Sequence, residues 1–320
     1  MHTTLPYPWP LRTDQERCFD ARGESIPCGE TGQDADRRPC PHPMIRFAAA
    51  NDSVTDALTG LTWARNANLF DYPYSLDEGF ERVETLNRKA LGGLDDWRLP
   101  SRRELFSLVS HQNCDPALVS DHPFENVFHG YYWTATPCAR LPDQAWYIHL
   151  GGARIYRGRQ SGTCLIWPVS GRREPRPSRG ARFRTHDGIT RDRRTGLNWR
   201  PVFRNGVSIV SWEGALCGAA ALNRDDWAGH DRHWRLPSVR ELESLIDLKR
   251  HSPALPEDWP IEIDAEGFWA STTSVYEPRY AWVVYMRDGA VGVGYKPNPD
   301  FGAWAVACDG PSGRPAPPPL

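Results

Sequence analysis

The chain has 320 residues, 40% of them hydrophobic and 24% charged, with a net charge of −2. This length suits two domains, the apolar fraction excludes a wholly disordered chain, and the near-neutral balance excludes a global field that draws in nucleic acid or an anionic membrane. No apolar run reaches the roughly 18 residues of a membrane span, while 14 Trp, 29 Pro and 27 Gly point to loop-rich domains anchored by large aromatic side chains.

Residues 1–46 form a polar N-terminal extension with Cys18, Cys28 and Cys40. Its start, MHTTLPYPWPLRTDQERC, has no basic head, apolar centre or cleavage site of a signal peptide. The 8 cysteines, none in a CxxC pair, argue instead for disulfides and an oxidising compartment. A first domain is expected over residues 47–170. VTDALTGLTW from Val54 reads as a hairpin around a Thr-Gly turn. Phe80, Val83 and Leu86 recur at helical spacing and predict a helix from Asp77 to Leu91. In DWRLPSRRELFSLVS, Ser101 and Glu104 form an S-x-x-E capping box that opens a second helix seated on Leu105, Leu108 and Val109. AWYIHLGGARIYRG then alternates apolar and polar residues around Gly151-Gly152, as a β-hairpin does. Residues 171–180 read as an Arg/Pro linker, within a stretch whose six arginines could bind a polyanion but more simply form a solvated joint.

Residues 181–310 repeat the first domain. Thr59-Gly60-Leu61 with Trp63 returns as Thr195-Gly196-Leu197 with Trp199, and Leu86-Asn87 as Leu222-Asn223. DWRLPSRRELFSLVS returns as HWRLPSVRELESLID, with Ser238 and Glu241 as the second capping box. YYWTATP returns as GFWASTT, and the AW hairpin as AWVVYMRDGAVGVGY. A helix from Trp212 to Leu222 and another seated on Leu242, Leu245 and Ile246 complete the copy. Each copy is therefore a hairpin, two helices and an antiparallel sheet, an α+β domain. The proline-rich residues 311–320 are expected to be a disordered tail.

The order of these motifs resembles the Lcl C-terminal domain family, in two tandem copies. The resemblance implies a C-type-lectin-like fold, a secreted, periplasmic or surface location in bacteria, and a ligand-binding or adhesin-like role. The namesake is a collagen-like adhesin whose terminal domain is implicated in binding sulfated glycans. No Gly-x-y collagen repeat is present here, so a trimeric architecture does not carry over. A staple from the first helix to the last strand is typical of lectin-like folds, and implies a Cys217–Cys308 disulfide. Cys18–Cys28, Cys114–Cys138 and Cys40–Cys164 would complete the set, the last pinning the extension to the first domain, although sequence leaves their connectivity open.

Chemistry-bearing residues are few. Glu104 and Glu241 are better explained as helix caps than as catalytic acids. Arg98 and Arg235 could hold an anion, but bonding to loop carbonyls or a helix C-terminus is the simpler reading. The repeated tryptophans (63, 97, 133, 146, 167 and 199, 234, 269, 282, 304) are expected in the core. His111, His122 and His129 lack paired ligand spacing, so no metal and no cofactor are expected. Glu277-Pro278-Arg279 puts Arg where a calcium lectin needs an oxygen. Nucleophile elbow, phosphate loop and zinc-helix motifs are absent.

Function is therefore sought where the two copies differ. In the first hairpin the candidates are Tyr147, His149, Arg154, Tyr156, Arg157 and Arg159. In the second they are Tyr276, Arg279, Tyr280, Tyr285, Arg287, Tyr295 and Lys296. Tyr and Arg favour binding surfaces, so a glycan or protein ligand is expected, without catalysis. The alternatives are an enzyme built on the related fold of the formylglycine-generating enzymes, and a structural subunit of a surface assembly that self-associates.

Overall fold

The computed structural model describes residues 12–37, 45–171, 180–203, 209–224 and 233–308. The chain divides into two compact units, one holding Met1–Tyr7 and Pro39–Pro177, the other Pro8–Arg38 and Ser178–Leu320. The extension carries β1 (Cys18–Phe19) and β2 (Ser25–Ile26). The first domain runs β3 (Phe47–Ala49), β4 (Ser53–Asp56), β5 (Leu61–Ala64), α1 (Leu76–Lys89), α2 (Arg102–Leu108), β6 (Tyr131–Pro137), β7 (Gln144–His149), β8 (Arg154–Arg159) and β9 (Val169–Ser170). The second repeats this order as β10 (Phe183–His186), β11 (Ile189–Asp192), β12 (Leu197–Pro201), α3 (Trp212–Ala221), α4 (Val239–Leu245), β13 (Gly267–Thr273), β14 (Tyr280–Tyr285), β15 (Val291–Tyr295) and β16 (Trp304–Cys308). In each domain the last strand returns to the first hairpin, β9 on β5 and β16 on β12, all antiparallel. β6-β7-β8 and β13-β14-β15 are antiparallel meanders.

The local chemistry explains the repeated sentence. Ser75, Ser101 and Ser238 each accept the N3 amide while the N3 glutamate accepts the cap's own N–H, giving complete capping boxes. Asn87 brackets the backbone of Trp97, donating to its carbonyl at 2.9 Å and accepting its N–H at 2.7 Å, and Asn223 does the same for Trp234 at 2.8 and 2.6 Å. This joins the end of the first helix to the WRLP strand in both copies. Arg98 and Arg235 reach the capping glutamates rather than loop carbonyls alone, with paired bonds of 2.8 and 2.6 Å to Glu104 and 2.7 and 2.6 Å to Glu241. Each glutamate therefore caps a helix and neutralises a guanidinium. All ten repeated tryptophans are buried. Phe80, one of the three apolar residues that mark the helical spacing, is 43% exposed, because α1 buries Leu76, Gly79, Val83 and Leu86. At Gly79 a Cβ would stand 3.0 Å from Ile166 Cδ1, so the helix needs glycine there to approach the core.

The extension docks on the second domain, which corrects the expectation that it is pinned to the first. Gln15 donates to the Thr273 carbonyl at 2.8 Å and accepts the Thr273 N–H at 2.9 Å, as a neighbouring strand would. Asp34 accepts from Thr272 Oγ1 at 2.7 Å, and Arg37 donates to Glu241 at 3.2 Å. Lys296 Nζ donates to the carbonyls of Phe19 and Asp20 at 3.2 and 3.1 Å and lies 4.1 Å from the Trp212 ring centroid. Lys296, expected on a ligand-binding surface, is fully buried here and belongs to this joint.

Burial lowers the Lys296 pKa to about 7, against the raising influence of Asp20 and Glu213. The folded state thus binds its proton less tightly than the unfolded chain, whose lysines titrate near 10.4. Folding is weakest with respect to this group below pH 7, and gains about 1.4 kcal/mol per unit as pH rises from about 7 towards 10. The stability difference between wild type and Lys296→Met should therefore move in favour of wild type from pH 7 to pH 9 in denaturant melts. A pH-independent difference would refute this role.

Cys18 and Cys28 form the expected disulfide. Among the described residues the other cysteines are free thiols, which corrects the Cys217–Cys308 and Cys114–Cys138 pairings. α3 buries Trp212, Ala215, Leu216 and Ala219 and turns Cys217 to solvent, whereas Cys308 is buried on β16. Cys114 lies beside Asp115, whose carboxylate meets His129 at the entry to β6, whereas Cys138 follows the far end of that seven-residue strand, about 20 Å along. Cys164 is a buried free thiol, and its expected partner Cys40 lies outside the described residues. The linker 172–179 and the tail 309–320 also lie outside them. Arg182, from the arginine stretch, is structural: it pairs with Asp192 at 3.0 and 2.7 Å and donates to the Ser244 carbonyl.

Candidate functional site

The β6-β7-β8 meander of the first domain has one core face and one open face. Tyr132, Ile148 and Ile155 point inward and are fully buried. The alternate residues line up across the strands on the other face, in one row of Tyr131, His149 and Arg154 and a second of Trp133, Tyr147 and Tyr156. Trp133 is covered, its indole N–H donating to the Tyr74 carbonyl at 2.9 Å. Tyr131 and Tyr156 are 50% and 52% exposed. The Tyr131 ring lies 4.9 Å from that of Tyr147 and 4.6 Å from the His149 imidazole, both edge to face. Tyr147 lies over Gly158, where a Cβ would stand 3.0 Å from the ring. Phe128, before the entry of β6, is 59% exposed and packs against Gly130.

Burial lowers the His149 pKa against the raising influence of a hydrogen bond to the Gly151 backbone, with Arg154 and His129 lowering it further, which favours the neutral imidazole as a hydrogen-bond acceptor. Burial raises the Tyr147 pKa, which keeps its phenol a donor. His129 pairs with Asp115 at the rim, and Arg154 is an exposed cation at the end of its row. The face offers aromatic ring surface, hydroxyl and imidazole hydrogen bonds and one guanidinium, a set suited to stacking on an apolar ring face while bonding its polar edge.

The second domain closes the same face. The isolated bridges Tyr74↔Cys164 and Val210↔Phe301 place Cys164 and Phe301 at equivalent positions. Phe301 lies 4.8 Å from Trp269 and 5.8 Å from Tyr285, edge to face. A Cβ on Gly294 would stand 2.4 Å from the Phe301 ring, so glycine is required beneath it. Opposite Tyr131, Tyr147 and Tyr156 of the first copy stand Gly267, Val283 and Gly292. Phe301 thus fills in one domain the space that tyrosines occupy in the other.

Of the residues singled out in sequence, Tyr147, His149, Arg154 and Tyr156 come together. Arg157 and Arg159 alternate onto the opposite face, where Arg157 sits 5.8 Å from the Trp146 ring. The second set is scattered. Tyr280 and Tyr295 pair at 5.4 Å, and Arg279 is engaged by Glu277 at 3.0 Å on both branches. Tyr276 is exposed, Tyr285 packs on Phe301, and Arg287 is exposed on the turn after β14. Tyr131 is hidden in sequence because it sits inside a motif shared by both copies; its replacement by Gly267 in the second copy is the signal that marks it. The three histidines are dispersed: His111 lies edge-on to Phe106, His122 against Phe124, and His129 on Asp115. Cys18, Cys28 and Asp36 bring sulfur and carboxylate atoms within 4.8 Å of one another, but the two sulfurs are joined to each other.

Residues 52–170 and 188–307 each match the model of the Lcl C-terminal domain. No curated protein matches the chain.

Proposed function

The chain belongs to the Lcl C-terminal domain family in two tandem copies, and we propose that it is a non-catalytic binding protein of the bacterial cell envelope or exterior whose first domain holds a glycan on the Tyr131–Tyr147–Tyr156 face. The observation that carries this reading is the contrast between the copies, one face open and aromatic, its twin sealed by Phe301. The pairing of first and last strands in each domain is compatible with a C-type-lectin-like arrangement. The Cys18–Cys28 disulfide suits an oxidising compartment, and no described helix is long and apolar enough to cross a membrane.

An enzyme on this fold that worked through Cys164 or Cys308 would need an activated thiol. Burial pushes the Cys164 thiol up to about 12 and also raises Cys308, which keeps both protonated and unreactive. The test is a glycan array probed with the full chain and with Tyr131→Ala. The reading expects retention on a subset of glycans that the variant loses. Equal retention of both proteins, or none by the wild type at low salt, would overturn it.

A further inference from the structure

We propose that the N-terminal extension is an exchangeable strap, and that the cradle it occupies on the second domain accepts the strap of a second copy of this chain. Residues 12–37 precede the first domain, yet the anchors described above all lie on the second: Thr272, Thr273, Glu241 and Lys296. An element that docks on a module other than the one it leads into is the covalent arrangement from which reciprocal exchange arises, since the partner copy offers an identical cradle and no new contact has to be invented.

Two further observations make the strap a separable unit. It organises itself. The Cys18–Cys28 disulfide closes its loop, and Asp36 accepts the amides of Gly29 and Gly32, each at 2.8 Å, and the Thr31 hydroxyl at 2.7 Å. Gln33 bonds both the N–H and the carbonyl of Phe19 at 3.0 Å, and Asp20 accepts the amides of Arg22 and Glu24 at 2.9 and 2.8 Å. A segment held by its own disulfide and hydrogen bonds can leave and re-dock without refolding. The joint is also largely polar. Cys18 and Phe19 are the apolar side chains the strap buries, whereas Gln15, Gln33 and Asp34 are buried beside them. Hydrogen-bonded joints of this composition resemble exchangeable interfaces more than a continuous core.

The cradle is a built site. Thr272, Thr273 and Lys296 are fully buried in it, and Glu241 is buried beside them. The first domain diverges at the matching positions: Pro137 stands for Thr273 and cannot donate the N–H that Gln15 accepts, and Gln160 stands for Lys296. The strap is thereby matched to the second domain, and exchange yields closed or chained assemblies with one strap per cradle.

The test uses full chains. One carries Asp34→Cys and the other Thr272→Cys, side chains whose oxygens lie 2.7 Å apart, and the two are mixed at raised concentration and oxidised. The proposal expects a covalent pair of chains, with peptide mapping joining position 34 of one to position 272 of the other. Closure of the trap only within a single chain that carries both substitutions overturns it. Because Asp34→Cys also removes a partner of Thr13, wild-type chains of light and heavy isotope are mixed in parallel and weighed by native mass spectrometry. Dimers of mixed mass are expected, and monomers at every concentration overturn the proposal.

Discussion

Glu241→Ala should destabilise the second domain by about 3–5 kcal/mol, read as a lowered denaturation midpoint at unchanged slope. Glu241 is buried between Arg235 and Arg37, and it also closes the Ser238 capping box. Burial alone would raise its pKa. The Arg235 and Arg37 guanidiniums overcome that penalty and hold the carboxyl well below the usual glutamate range. Removing it leaves the buried Arg235 without its carboxylate, leaves Arg37 only the longer contact to Asp34 at 3.7 Å, and strands the Ser238 N–H at once. The same depressed pKa fixes the pH response. The stabilisation is complete above the unfolded glutamate pKa of about 4.3 and is lost as pH falls below it. Glu104→Ala is the internal control. It removes the same cap and the same Arg98 pair but no strap arginine, so the smaller loss should fall in the first domain. Equal losses in both variants would refute the contribution of Arg37.

Replacing Tyr131 and Tyr156 together by alanine should weaken glycan binding at least about 30-fold, equivalent to about 2 kcal/mol, the scale of an aromatic anchor in an interface. Both rings are about half exposed and lie on the open face, so the thermal midpoint should barely move. The matched control is Tyr280→Ala with Tyr295→Ala, a tyrosine pair of the second domain with rings 5.4 Å apart. Titration of an array-selected oligosaccharide against the three proteins separates the outcomes. Weakening by the control pair equal to that by the Tyr131 pair would place the site elsewhere.

How much of this was legible in sequence depends on the range of the interaction concerned. Ser101–Glu104 and Ser238–Glu241 could be read as capping boxes because both partners lie within one helical turn. The tryptophans could be read as core because two diverged copies keep them at matching places. The salt bridge from Arg98 to Glu104 spans only six residues, yet it was hidden by the Pro-Ser turn that folds the arginine back over the cap. The Cys217–Cys308 pairing failed on a local detail. The buried stripe of α3 runs through Trp212, Ala215, Leu216 and Ala219, which leaves Cys217 outside.

The sequence by itself determined two α+β modules in tandem, the ends of their central helices and the strand periods of their hairpins, because capping, helical spacing and alternation act between near neighbours. Tertiary structure alone decided that the extension sits on the second domain. Its anchors Gln15 and Thr273 are separated by 258 positions, and no local pattern joins them. It also decided which face is open. Cys164 and Phe301 occupy the same place in the two folds, but only the packed structure reveals that the larger ring seals one sheet, over glycines cut to fit it, while the smaller thiol leaves the tyrosines of the other exposed.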